Sequence, residues 1–264
     1  MRRVCLVLAI VPLLSDGCIS VEGVQPNMLT TQQEIALGDK FAKEVEAEKK
    51  VLDDPVIQDY VNTIGNHLAR FSPRKDIQYQ FTVIDDPEEV NAFALPGGHL
   101  YFYTGLMKLC ENEAQLAAVM AHEMAHVAEH HHGENLTRRY GLEFLASMIL
   151  GEEPSEFANL AAQLLGSGLL MNYSRQNERE ADQLGMRMLY QGGYDPDGMV
   201  AFMNSMLEYE RSKGGGHPLP IFSSHPPTQE RMSYLNVLAQ QYPPGYDVVN
   251  ADVYRAKVLE RLGG

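Results

Sequence analysis

The sequence predicts an α+β fold, mostly helical, with a small β-sheet just ahead of one apolar helix. Three observations predict it. Long stretches with helical spacing of apolar residues are bounded by capping residues, proline or glycine. Strand-like alternation is confined to a short region, residues 77–104. Directly after it, residues 114–128 form an apolar run with no helix breaker.

Length and composition frame the rest. With 264 residues, 45% of them hydrophobic, the chain can bury a sizeable core. The formal net charge of −14 argues against nucleic acid or an anionic lipid surface as a main partner. Arg2 and Arg3 precede an apolar segment, residues 4–14, shorter than the roughly 20 residues of a membrane span. Residues 1–17 therefore read as a secretory signal peptide, and residues 18–264 as a single domain. Ser15 and Gly17 are small, as cleavage before Cys18 requires. That cut resembles lipoprotein processing, although Leu14 stands one place early and Asp16 is unusual. A lipid anchor on Cys18 and plain secretion stand as alternatives. Once Cys5 leaves with the signal and Cys18 is set aside, Cys110 is alone and reads as a buried small hydrophobe.

The elements follow in order. Thr31 and Glu34 are spaced as a capping box for a helix over residues 32–50. Asp54-Pro55 opens a second helix ending near Phe71. Residues 77–85 alternate as a half-buried strand, residues 91–95 form a short strand, and residues 99–104 a third, closed by Gly105. The apolar helix starts near Glu111 and runs into His130, His131 and His132, with Gly133 as its stop. Residues 142–150 and 158–171 are apolar helices packed over or beside the site, too short to span a membrane. Further helices cover residues 174–191, 195–211 and 228–239, with a short one in residues 251–262.

The apolar helix carries His122, Glu123 and His126. Histidines four apart share one helical face and can hold one zinc ion at about 2.0–2.1 Å. Glu123 is turned slightly aside, where it can reach water rather than the ion. This H-E-x-x-H spacing points to a metalloprotease with glutamate as general base.

A catalytic zinc usually has a third protein ligand. His132 stands where one known pattern puts a third histidine, but that pattern needs glycine at position 129, which is glutamate here. The other candidate is Glu178, with Asp182 four residues on and able to hydrogen-bond a histidine ligand. Glu180 points elsewhere, towards solvent. Taken alone, Glu178, Arg179 and Glu180 also fit an ordinary charged helix surface.

H-E-x-x-H followed by Glu178, Ala181 and Asp182 resembles the zinc metallopeptidase family that includes HtpX, the CAAX prenyl protease and BepA. Residues 91–98 upstream, and Ser224, His225, Pro226, Pro227, Thr228, Glu230 and Arg231 downstream, carry the same resemblance. It covers roughly residues 30–240 and is closest to the exported, BepA-like branch. The resemblance implies a zincin-type fold, zinc on His122, His126 and Glu178, and Glu123 as catalytic acid/base. In BepA-like relatives the histidine matching His225 can approach the metal and block its open site. Here His225 does the same, donates to the developing oxyanion, or fixes the Pro226–Pro227 corner. Arg231 assists the site or pairs with an acidic residue.

The expected activity is zinc-dependent endoproteolysis of unfolded or misfolded proteins in the bacterial periplasm, with tethering to the outer membrane if Cys18 is lipidated. Substrate would add as an extended strand beside Asn91, Ala92, Phe93, Ala94 and Leu95. The rival expectation is a zinc-bound envelope chaperone or assembly factor whose proteolysis is latent.

Overall fold

The structure is a computed structural model that describes residues 29–152, 154–167, 173–214, 219–243 and 248–263. The expected signal peptide, residues 1–17, and Cys18 lie outside these residues.

The mostly helical α+β architecture is as the sequence predicts. Helices α1 (Thr31–Glu48) and α2 (Pro55–Ala69) precede strands β1 (Gln80–Ile84), β2 (Ala92–Ala94) and β3 (His99–Tyr103). Then come α3 (Thr104–Leu109), α4 (Glu113–Ala128), α5 (His131–Tyr140), α6 (Leu142–Leu150) and α7 (Pro154–Ser167). The chain continues through α8 (Arg175–Gln191), α9 (Asp197–Ser212), α10 (Pro220–Ser224), α11 (Gln229–Ala239) and α12 (Ala251–Tyr254). No helix among the described residues is long and apolar enough to cross a membrane.

The sheet is mixed. β3 lies in the middle, parallel to β1 and antiparallel to β2. Val83 and Phe102 pair across β1 and β3, and Phe93 and Tyr101 across β2 and β3. Two apolar cores flank this sheet. The larger gathers α2, α4, α8, α9 and α11, with Leu116, Met120 and Met124 of α4 fully buried. The smaller lies under α1, α6 and α7, where Phe41 stacks on Phe157 at 4.9 Å. Every residue of α4 is buried, so this helix is the axle of the domain. Cys110 is buried at its foot.

Several expectations need correction. α1 is capped one residue earlier than the sequence predicts: Thr30 is the N-cap, with Gln33 completing the box. Glu34 instead turns inward and pairs with the buried Arg74. Residues 104–109 form helix α3, although Gly105 reads as a strand terminator. The histidine triple does not end α4 at Gly133. α4 stops at Ala128, His130 takes a left-handed conformation (φ 60°), and His131 opens α5. Left-handed backbone is unusual for histidine, and here the ring is held by Glu34 Oε1 at 3.1 Å.

Candidate metal centre

α4 presents His122 and His126 on one face, and α8 crosses that face. Ser174 caps α8 in a box with Asn177, which starts the helix so that Glu178 and Asp182 point at α4. The close crossing depends on Gly185. A Cβ there would lie 3.1 Å from the His122 backbone nitrogen, so a larger residue would push the two helices apart. The turn between α10 and α11 then delivers His225, and Thr228 caps α11 so that Arg231 reaches back into the site.

Four side chains converge. One ligand atom from each of His122, His126, Glu178 and His225 lies within 4.8 Å of the others, and all four residues are buried. His122 Nε2 is 3.1 Å from His126 Nε2 and 3.2 Å from His225 Nδ1. The Glu178 carboxylate is 3.5 Å from His126 Nε2, 3.6 Å from His122 Nε2 and 2.8 Å from His225 Nδ1. Tetrahedral bonds of about 2.0–2.1 Å would place ligand atoms about 3.3–3.4 Å apart, so most of these spacings suit a small cation.

Charge gives a second test of fit. Glu123, Glu178 and Asp182 are buried together against one buried arginine, Arg231. Burial works to lower His225, but Glu178 and Glu123 outweigh it and raise it, so without a metal it shares the compensating role with Arg231. With all imidazoles neutral, as ligands must be, two negative charges remain, and a divalent ion would neutralise them. A further sign is Glu123 Oε2, which is buried without a hydrogen-bond partner.

The protonation states agree. Burial pushes His126 well below its ordinary value, leaving it neutral as a ligand must be. Burial works to raise the Glu178 carboxyl, but His225 and Arg231 outweigh it and hold the group well below the carboxylate range. Burial raises Glu123 above its ordinary value against the pull of His225 and His122, which suits a group that exchanges protons.

Asp182 and Arg231 form the layer behind. Asp182 Oδ1 is 3.1 Å from His122 Nδ1, and Arg231 grips both Asp182 oxygens at 2.8 and 2.9 Å. Arg231 also places its second terminal nitrogen 2.5 Å from Glu178. His225 bridges forward, with Nδ1 on Glu178 and Nε2 3.3 Å from Glu123 Oε1.

β2 is the sheet edge nearest the site. Tyr103 donates to Asn91 and Leu95 donates to His99, so Asn91, Phe93 and Leu95 face β3. The backbone groups of Ala92 and Ala94 therefore point off the sheet. Both alanines are fully buried, and the Ala94 backbone is hydrogen-bonded to Glu123 and His132.

His132, the other candidate ligand, is not in the cluster. Its Nε2 bonds the Tyr173 hydroxyl at 2.9 Å. Glu180 does not simply face solvent as the sequence suggests: its Oε2 meets the buried His131 at 3.0 Å. Sequence reasoning also missed Tyr173, whose ring stacks on His126 at 3.8 Å. No pattern marks Tyr173, while His131 was masked by its place in a triple that resembled a helix end.

Donors arranged this way, with a buried carboxylate beside them, are the equipment of a metallopeptidase. Comparison with known proteins agrees, and the chain belongs to peptidase family M48, whose sequence profile matches residues 55–239. It is 29% identical over 238 residues to the Beta-barrel assembly-enhancing protease of Escherichia coli strain K12, covering 87% of this chain and 48% of that protein. It is 34% identical over 178 residues to the Mitochondrial metalloendopeptidase OMA1 of Schizosaccharomyces pombe, covering 66% of this chain and 50% of that protein. The chain spans about half the length of the curated relatives it matches.

Proposed function

We propose that this chain is a zinc-dependent endopeptidase acting on extended segments of unfolded or misfolded proteins in the bacterial envelope. The observation that carries this reading is the convergence of His122, His126 and Glu178 with Glu123 beside them, all buried. His122 and His126 would each offer Nε2, and Glu178 a carboxylate oxygen. Zinc, when bound, supplies acidification of water and polarisation of the scissile carbonyl.

The chain's own groups do the rest. Glu123 takes the proton from water and returns it to the leaving amine, a role its raised pKa favours. Asp182 holds the His122 ring through Nδ1, and Arg231 fixes Asp182 and Glu178 together. Substrate adds as an extended strand beside residues 91–95, and because Ala92 and Ala94 are buried in the resting chain, β2 must be uncovered before its backbone can pair. Backbone pairing gives weak sequence preference, which fits unfolded substrates. Placement in the envelope rests on the signal-like N-terminus and on the name of the E. coli relative. A lipid anchor at Cys18 would tether the enzyme to the outer membrane.

His225 supports a second reading. Its Nδ1 stands among the donors and its Nε2 stands on Glu123, as expected of a self-inhibited resting state. A zinc-bound envelope chaperone or assembly factor with latent proteolysis would look like this.

Zinc content and casein cleavage separate the two. The expected result is that Glu123→Gln keeps zinc and loses cleavage, while Glu178→Ala loses zinc. Cleavage by His225→Ala alone would identify a latched enzyme. If every variant binds zinc and none cleaves, the chaperone reading replaces the protease.

A further inference from the structure

The two histidines of α4 are backed differently. His122 Nδ1 faces a buried carboxylate, Asp182. His126 Nδ1 instead faces another imidazole: His131 Nδ1 lies 2.9 Å away. The far nitrogen of His131 meets Glu180 Oε2 at 3.0 Å, and Gln176 holds the other Glu180 oxygen at 2.7 Å. His131 is 2% exposed, and it reaches this place only because the left-handed His130 turns the chain back under α4.

We propose that His131 is a positioning residue that fixes the ring and tautomer of His126 and passes the influence of the Glu180 carboxylate to it. The inference rests on the metal reading of the site. If Nε2 of His126 is to offer its lone pair to a cation, its single proton must sit on Nδ1. That N–H donates to His131 Nδ1, which must then be an acceptor. The proton of His131 therefore sits on Nε2 and donates to Glu180. Only one arrangement of protons satisfies all three groups with both rings neutral.

Neutral rings suit the burial. Desolvation pushes His131 below its ordinary value, although Glu180 pulls the other way. The relay also has a reason to be longer than the one behind His122. Arg231 compensates Asp182, but it does not reach this side. A carboxylate directly behind His126 would bury another uncompensated charge. One imidazole further out, Glu180 keeps a third of its side chain in water, 33% by area. The support is delivered to the ligand while the charge stays at the rim.

The test is zinc affinity, measured by competition with a chromophoric chelator on the metal-stripped chain. His131→Leu should weaken zinc binding by about 10–100-fold. His131→Asn, whose amide oxygen takes the place of Nδ1, should recover most of that loss. The unfolding midpoints of the stripped variants should not track this order, which a merely structural role would require. Ring nitrogen shifts of the zinc-loaded chain should show His126 protonated at Nδ1 and His131 at Nε2. Should His131→Leu fail to fold, Glu180→Ala decides: weaker zinc binding supports the relay and unchanged binding overturns it. Equal affinity for His131→Leu and the unsubstituted chain overturns the role of His131 alone. No zinc binding by the unsubstituted chain overturns the metal reading as well.

Discussion

Arg231→Leu is the substitution that most directly probes how the site is held together. Among the described residues, Arg231 is the one buried arginine or lysine facing Glu178 and Asp182, and these carboxylates are 5% and 0% exposed. Removing it leaves both without their shared partner. Breaking a buried pair in this way costs about 3–5 kcal/mol. For a domain of this size that lowers Tm by about 6–20 °C. The assay is calorimetric or urea unfolding of chelator-treated protein. Asp182→Asn alone should cost less, because Arg231 keeps Glu178. The double variant should lose less than the sum of the two singles, since one of the orphaned charges is gone.

The penalty should also depend on pH, with a definite sign. In the native chain both carboxyls lie below their ordinary values, so their contribution is full above those values and is lost as pH falls through the lower, folded ones. In Arg231→Leu, burial is opposed by the histidines alone, so both carboxyls rise relative to the native chain and the variant loses less stability than the native chain as pH falls. The gap between the two proteins must therefore narrow from neutral pH to about pH 4. A loss below about 1 kcal/mol, or a gap that does not narrow, would refute the claim that Arg231 acts by compensating buried charge.

Two other outcomes follow from the packing. In Gly38→Ala, the new Cβ would fall 1.9 Å from the Pro96 carbonyl oxygen, so α1 must move off the Pro96–Gly98 turn. Chemical denaturation should show a loss of about 1–3 kcal/mol despite the better helix propensity of alanine; a gain would mean that the turn yields freely. Burial pushes His132 down to about 3. As the unfolded chain takes up that proton near 6.5, its contribution is complete above that value and declines as pH falls towards 3. His132→Asn should therefore flatten the acid side of the stability profile by about 2 kcal/mol between pH 6.5 and 5, read from urea midpoints.

How legible each part was depends on the range of the interactions that shape it. His122, Glu123 and His126 were readable because motif and helix are local to one apolar run. Glu178 was not separable from a charged surface until the wider resemblance was considered, because only the α4–α8 crossing brings it inward. Thr31 and Glu34 have the spacing of a capping box, yet Thr30 and Gln33 form it. Thr30 won because Glu34 is needed inside, on Arg74. His130 is the harder case: nothing local favours left-handed backbone at a histidine, and the contact with Glu34 that supports it comes from α1. With that turn unseen, His131 and its link to Glu180 were out of reach.

The His225 ring has a consequence for speed. A single imidazole touches Glu178 through one nitrogen and Glu123 through the other. On the proposed reading, one swing of that ring would free a coordination corner and the base together, and nothing short of that swing would free either. Turnover is then scaled by the fraction of molecules with the ring out, tenfold for each 1.4 kcal/mol, roughly, by which the closed form is favoured. Long extended segments, which gain enough along β2 to tip that balance, would be cut. Short or folded ones, gaining little, would leave the ring where it rests.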